Sequence, residues 1–240
     1  MAVNGFTNIV TDGLVLSLDA GNLKSYPTTG TTWTDLTKIH GNSTLFNSPT
    51  FINNNTGGII LNGNNQYVDT LVNSTPTSVT LEVIFSVSSN TFTKTGGNTV
   101  AQYIVFRQNS RTINFEGVAL IYIVSSPTGY ISAYMSSSSG IDRGANSSLI
   151  NFNQIYTINA VYTPTNVSIY VNGNFVTQTA TGFAIDYNAT HTYKIGRAAA
   201  IGTAYDGYLN GTIYNVKIYN RALSSAEVLQ NYNATKTRFI

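Results

Sequence analysis

Val79-Thr80-Leu81-Glu82-Val83-Ile84-Phe85-Ser86-Val87 is the stretch on which the fold turns. Val79, Leu81, Val83, Phe85 and Val87 alternate with Thr80, Glu82, Ile84 and Ser86. A period of two is that of a strand, with one face buried and the other more polar. Val167, Ile169 and Val171 alternate with Ser168, Tyr170 and Asn172 in the same way. Asn172-Gly173 then supplies the positive φ angles of a tight turn, and Phe175-Val176 returns as the second arm of a hairpin.

Further strand signals lie on both sides of these two segments. They fall at 14–18, 59–61, 67–68, 102–107, 117–124, 129–135, 154–163, 166–171, 174–179, 192–197 and 206–219. Three polar stretches, 22–58, 88–99 and 136–148, are rich in Thr, Asn, Ser and Gly and are expected to be long surface loops. One helix is expected near the C-terminus, over about Ser225 to Ala234. Ser224 with Glu227 three residues on forms a capping box, and Leu223 with Val228 a hydrophobic staple. These signals predict an all-β fold: two antiparallel sheets packed face to face, with a short C-terminal helix. The predicted core-facing set is Leu81, Val83, Phe85, Val167, Ile169, Val171, Val216 and Ile218.

The chain has 240 residues, enough to bury a sizeable core as one sandwich domain. Only 9% of residues are charged, against roughly 25% in typical soluble domains, and Asn, Ser and Thr take their place. The net charge of +2 shows no clustered cations of the kind phosphate binding needs, so no nucleic-acid partner is expected. The absence of cysteine excludes disulfides and thiolate metal sites. Met1 to Thr11 lacks the features of a secretory leader, and the longest apolar run, Val118 to Val124, is far short of a membrane span, so no membrane partner is expected.

The segment Tyr208-Leu209-Asn210-Gly211-Thr212-Ile213-Tyr214-Asn215-Val216-Lys217-Ile218-Tyr219-Asn220-Arg221-Ala222-Leu223-Ser224 resembles the last strand of laminin-G-like, concanavalin A-like lectin jelly rolls. Gly13 to Asn22, Asn62 to Val68 and Val167 to Gly173 resemble the same family, so the resemblance spans about 12–234. It implies a jelly-roll domain over 12–235, flanked by an N-terminal arm (1–11) and a C-terminal tail (236–240). The family often carries an acidic residue where Tyr214 and Asn215 stand here. The wording of Asp19 to Asn22, Ser25 to Pro27, Gly30 to Leu36 and Leu229 to Arg238 is similar to lectin-like proteins of tailed bacteriophages. That similarity implies a virion structural or adhesion protein on a capsid surface, fibre or tail. Its partners would be other virion proteins or further copies of itself, with host-surface polysaccharide as a ligand, and the apolar end of 236–240 could dock into a neighbour. The alternatives are a free, extracellular carbohydrate-binding module and a glycan-degrading enzyme.

Enzyme chemistry has few residues to stand on, and none is expected. The glutamates are Glu82, Glu116 and Glu227, and a glycosidase needs two carboxylates across a cleft. Glu227 is explained by helix capping and Glu82 reads as structural; Glu116 lacks an evident partner. His40 and His191 are far apart in polar loops, with no evident nucleophile beside either. Calcium is the one ion worth weighing, because oxygen ligands on loop rims suit a hard cation. Asp69, Asp142, Asp186 and Asp206 are its candidates, although Asp in turns usually bonds to local backbone. Tyr26, Trp33, Tyr187, Tyr193 and Tyr205 lie near expected loops and are candidates for stacking on a sugar; the competing reading is core packing, favoured for Trp33.

Overall fold

The computed structural model describes residues 8–53, 57–93, 100–108, 117–125, 128–137, 139, 141–187, 191–198 and 207–239. Its strands, in chain order, are β1 (Leu14–Asp19), β2 (Thr32–Trp33), β3 (Ser43–Phe46), β4 (Thr50–Ile52), β5 (Gly58–Asn62), β6 (Tyr67–Asp69), β7 (Val79–Val87) and β8 (Ala101–Gln108). They continue with β9 (Gly117–Ser125), β10 (Thr128–Ser136), β11 (Asp142–Ile150), β12 (Tyr156–Tyr162), β13 (Asn166–Val171), β14 (Asn174–Ala180), β15 (Lys194–Ile195) and β16 (Asn210–Tyr219). Helix α1 (Ser225–Thr235) and a 3-10 turn at Lys236–Arg238 close the chain.

The strands form two antiparallel sheets among the described residues. One runs β14-β13-β12-β7-β16-β5-β4, with β1 paired to β16 beside β5; the other runs β11-β10-β9-β8-β15-β6-β3-β2. The facing surfaces make one apolar core. Leu16, Leu81, Val83, Phe85, Ile169, Val216 and Ile218 enter it from the first sheet, and Val68, Val105, Leu120, Ile131 and Met135 from the second. Val167 also lies in the core, and Val171 packs half-buried against its margin. The hydroxyl of Tyr162 on β12 crosses the sandwich to donate to the carbonyl of Ala119 on β9 at 2.8 Å. No helix is long and apolar enough to cross a membrane among the described residues.

The alternation in Val79–Val87 describes which sheet face each residue joins, but both faces are sealed: all nine residues are buried. The polar face lies under α1. Thr80 there donates to the Arg221 carbonyl and accepts from the Leu223 amide, each at 2.9 Å. Lys217 Nζ sits 2.8 Å from Glu82 Oε1. Glu82 Oε2 accepts from Asn159 at 2.7 Å and from Asn231 of α1 at 2.8 Å. The helix begins as expected, with both halves of the Ser224/Glu227 capping box formed and Leu223 and Val228 buried together.

Two of the expected loops contain strands. The stretch 22–58 holds β2, β3 and β4, and 136–148 contains most of β11. These strands are polar because they are short or half-solvated: β3 alternates buried and exposed positions, and most of β11 faces outward. The strand expected at 192–197 shrinks to Lys194–Ile195, since Gly196 turns left-handed at φ 86°. The hairpin at Asn172-Gly173 has φ 50° and 78°, the pair of positive values its sequence requires.

Both flanks pack on the domain. The Val10 amide donates to Asn231 Oδ1 at 2.8 Å, and the Tyr219 hydroxyl donates to the Val10 carbonyl at 3.1 Å. Arg238 grips both carboxylate oxygens of Asp19 at 2.6 and 3.0 Å, and the Phe239 ring packs on Tyr214 with centroids 5.6 Å apart. Val10 of the N-terminal arm and Arg238 and Phe239 of the C-terminal tail thus pack on the domain. Phe239 meets the chain's own sheet, while Ile240 lies outside the described residues. Tyr214 stands at a register shift of β16, which explains how a bulky ring is accepted there, and Asn215 accepts from Lys217 Nζ at 2.7 Å.

Candidate carbohydrate-binding cleft

The first sheet ends at β4 and the second at β2, and the chain between β1 and β2 closes the side of the sandwich between them. Ser25 anchors that segment: its hydroxyl donates to the Thr34 carbonyl at 2.7 Å and accepts from the Asp19 amide at 3.1 Å. Tyr26 follows, with its hydroxyl donating to the Gly30 carbonyl at 2.9 Å. Its ring meets Trp33 edge-on at 6.4 Å and Phe51 at 5.5 Å. Burial pushes the Tyr26 phenol pKa up, so it remains a neutral donor.

Above this aromatic floor is an open cleft of about 270 Å³. Tyr26, Phe51, Leu45 and Pro49 supply its apolar surface, and Thr28, Thr29, Thr31 and Ser48 supply hydroxyl-bearing walls. No charged residue lines it. The Ser48 wall is held by amides. Gln66 Nε2 donates to the carbonyls of Asn47 and Ser48 at 3.0 and 2.8 Å, and Asn47 Nδ2 returns a bond to the Asn65 carbonyl at 2.7 Å. Asn47 and Ser48 are both left-handed, at φ 61° and 53°, so this bracket holds a turn that the backbone alone disfavours.

The expected sugar-stacking residues do not converge. Trp33 and Tyr193 are sealed in the core at 0% and 1% exposure, and their ring faces are covered by protein. Tyr26 borders the cleft but is 2% exposed, so it offers little ring surface to a ligand. Tyr187 is half-buried, with the Arg107 guanidinium 4.5 Å from its ring centroid. Tyr205 lies outside the described residues. The aromatic burial has a common cause: large planar side chains bury much apolar area, and Tyr26, Trp33 and Tyr193 all join the core between the sheets. Phe51 and the Thr28–Thr31 and Ser48 hydroxyls were not singled out from sequence. The available signal was Phe51-Ile52, an apolar pair in an otherwise polar stretch.

A second aromatic group lies nearby. Phe46 and Tyr67, paired across β3 and β6, stack at 4.7 Å with planes 1° apart. Arg197 sits 4.8 Å from the Tyr67 ring and 5.5 Å from Tyr208.

Of the ion candidates, Asp142 and Asp186 meet at Ser136, while Asp69 lies elsewhere. Asp69 on β6 is bonded by Thr192 at 2.9 Å and paired with Lys194, so an ammonium already neutralises it. Asp142 accepts from Ser136 Oγ at 2.6 Å, while the Asp186 amide donates to the Ser136 carbonyl at 3.3 Å. Asp142 on β11 is separated from Asp69 by β10, β9, β8 and β15. Asp206 and Glu116 lie outside the described residues. Among the described residues no three of His, Asp and Glu gather as a metal cluster. His40 and His191 are both half-buried, and the His191 carbonyl serves Arg107.

The two described glutamates hold structural positions. Burial pushes the Glu82 carboxyl up, but Lys217 and the hydrogen bonds from Lys217, Asn159 and Asn231 more than offset this and hold it below the usual range. Glu227 is brought down to about 2, chiefly by its hydrogen bonds from Arg221, with further bonds from Ser224.

A family model described as the concanavalin A-like lectin/glucanases superfamily matches residues 62–229. No curated protein matches the chain in sequence. Among solved structures, Trypanosoma rangeli sialidase in complex with 2,3-difluoro-KDN is similar at a TM-score of 0.64 and 14% identity, over 96% of this chain and 34% of that one. The binding domain of botulinum neurotoxin DC in complex with SialylT is similar at 0.65 and 13% identity, over 94% and 52%. Domain 4 of AbnA, a GH43 extracellular arabinanase from Geobacillus stearothermophilus, in complex with arabinotriose, is similar at 0.63 and 13% identity, over 91% and 98%. The chain thus spans about a third of the sialidase and about half of the neurotoxin domain. At these identities the likeness is one of fold.

Proposed function

From the premise that this chain belongs to the concanavalin A-like lectin/glucanase superfamily, we propose that it is a non-catalytic recognition module whose cleft beside Tyr26 and Phe51 takes one neutral sugar unit. The observation that carries this reading is the cleft's lining: apolar surface below, hydroxyls around, no charge. A pyranose has the matching chemistry, with an apolar face and a rim of hydroxyls. The volume of about 270 Å³ suits a single unit at the small end of ligand sites. The amide bracket on Ser48 supplies preorganisation, so binding orders little that is not already ordered. Structures of like fold in complex with SialylT and with arabinotriose lend support.

Non-catalysis is part of the proposal. Glu82 is sealed beneath α1, and Glu227 is held by Arg221 and Ser224, so neither faces the cleft as an acid or nucleophile. As its setting we propose a bacteriophage particle, on a capsid surface, fibre or tail, among other virion proteins or copies of itself. The similarity of Asp19 to Asn22 and Leu229 to Arg238 to phage lectin-like proteins supports that setting. A free extracellular carbohydrate-binding module is the second reading, favoured by the likeness to nearly the whole of an arabinanase domain.

Glycan-array binding by the purified chain, with Phe51→Ala as control, tests the site. Reproducible release of product from β-glucans, galactans or bacterial polysaccharides would refute non-catalysis. Mass spectrometry of purified particles decides between the settings: copies in the particle support the virion reading, and absence with retained glycan binding supports the free module.

A further inference from the structure

Arg107, on β8, points between the sheets at one end of the core and is 1% exposed. Its Nε donates to the His191 carbonyl at 3.0 Å, Nη2 to the Asn73 carbonyl at 2.7 Å, and Nη1 to the Ser74 carbonyl. The rings of Tyr187 and Tyr193 lie 4.5 and 5.3 Å from its guanidinium carbon. Every one of these partners is neutral. Among the described residues Arg107 has no carboxylate partner, in contrast to Lys194, Lys217, Arg221 and Arg238, each of which is paired with one.

A guanidinium has five N–H donors and cannot shed its charge in a protein, so three bonds leave two donors and a full positive charge. Beside it, the hydroxyls of Tyr187 and Tyr193 are sealed from solvent, and neither makes a hydrogen bond of good geometry, although they lie within reach of each other and Tyr193 lies within reach of Arg107. Buried hydroxyls and buried charges are normally satisfied, and those that are not need an explanation. What gathers here is one buried cation and two buried phenols, with the nearby carbonyl acceptors already engaged and no group that carries a negative charge among the described residues. A neutral filler such as water would satisfy the hydroxyls but leave the charge uncompensated.

We infer that Arg107, Tyr187 and Tyr193 form an internal site for a small monovalent anion of the halide class. The anion supplies the missing counter-charge, accepts from the phenols and the remaining guanidinium N–H groups, and secures the segments at 73–74 and 191–193 that Arg107 joins. A carboxylated sugar is excluded as the occupant by the burial of Arg107 and Tyr193. This inference does not depend on the sugar-binding reading.

The test uses the full chain exchanged into sodium gluconate, whose anion is too bulky to enter. Sodium chloride or bromide is titrated in at constant ionic strength while thermal unfolding is followed. The midpoint is expected to rise saturably, by about 2–4 °C, with either halide. Tyr193→Phe and Tyr187→Phe keep the rings and remove one donor each, and should weaken the apparent halide affinity about tenfold. Tyr187 is half-buried at the margin, so its variant serves if the core variant fails to fold. Crystals of the unmodified chain soaked in bromide should show an anomalous peak in hydrogen-bond reach of Arg107 and the two phenols. A midpoint indifferent to halide, an undiminished response in a folded Phe variant, or no bromide peak at this position would each overturn the inference.

Discussion

Glu82 and Lys217 form an ion pair 2.8 Å long in which neither side chain exceeds 2% exposure. The carboxylate comes from β7 and the ammonium from β16, cross-strand partners in the centre of the sheet. Asn231 joins them from the helix, so one buried charge pair also positions α1. Lys217→Met should destabilise the fold by about 3–5 kcal/mol, because it leaves a buried carboxylate uncompensated. The double change with Glu82→Gln should recover much of that loss. Urea unfolding of the four proteins in the cycle measures the coupling, and additive effects would show that the pair acts as two independent groups.

Acid should weaken the helix end. Glu227 is near 2 in the folded protein, below the ordinary carboxylate value of 4.5. A depressed folded pKa means that this stabilisation is fully present above about 4.5 and fades as pH falls towards 2. Glu82 adds a loss of the same sign, since it too lies below its ordinary value. Unfolding midpoints between pH 6 and pH 2 should therefore fall more steeply in the native chain than in Glu227→Gln. At neutral pH, Ser224→Ala should cost about 1 kcal/mol by removing the other half of the box.

Gly173→Ala is expected to be destabilising by about 1–2 kcal/mol. Residue 173 sits at φ 78°, and a Cβ there would come within 2.9 Å of Tyr232 Cβ on α1. The strain therefore spreads from the hairpin to the helix, and local hydrogen exchange should rise in both. Exchange confined to 172–175 would show that the two elements are uncoupled.

Phe51→Ala should weaken sugar binding at least about tenfold, as expected for the loss of an aromatic contact in a small site. Gln66 does not itself line the cleft, but Gln66→Ala frees the Asn47-Ser48 turn, and should reduce affinity with little change in fold stability. Calorimetric titration with the best array glycan checks both. Equal binding by Phe51→Ala and the native chain would remove this cleft from consideration.

The core was legible because apolar alternation reports sheet faces directly, as in Leu81, Val83 and Phe85. The fate of the opposite face was not. Thr80, Glu82 and Ser86 mark the more polar face by composition, but all three are buried, Glu82 by Lys217 and Asn231 and Thr80 by Arg221 and Leu223, partners far away in sequence. Polarity marks a need for hydrogen bonds, not for water. The strands β2, β3 and β11 escaped notice for the converse reason, since short or half-solvated strands need few apolar residues. At the site, Tyr26 was legible as an aromatic near a loop. Phe51 was not, and only the fold brings residues 26 and 51 into contact.

The order of strands has a kinetic consequence. β16, at residues 210–219, lies between β7 on one side and β1 and β5 on the other, and Leu16 pairs with Ile218 some two hundred positions later. Until β16 leaves the ribosome the first sheet is split: β1 has no partner, and β5 has only β4 beside it. Hairpins such as β13–β14 can form as they appear, but the first sheet cannot close until β16 has been made. A chain of this high contact order folds slowly, in milliseconds to seconds or longer, and its early strands stay exposed in the interval. Nascent copies crowded on one message would be the molecules most at risk of mispairing, β1 of one with β16 of another.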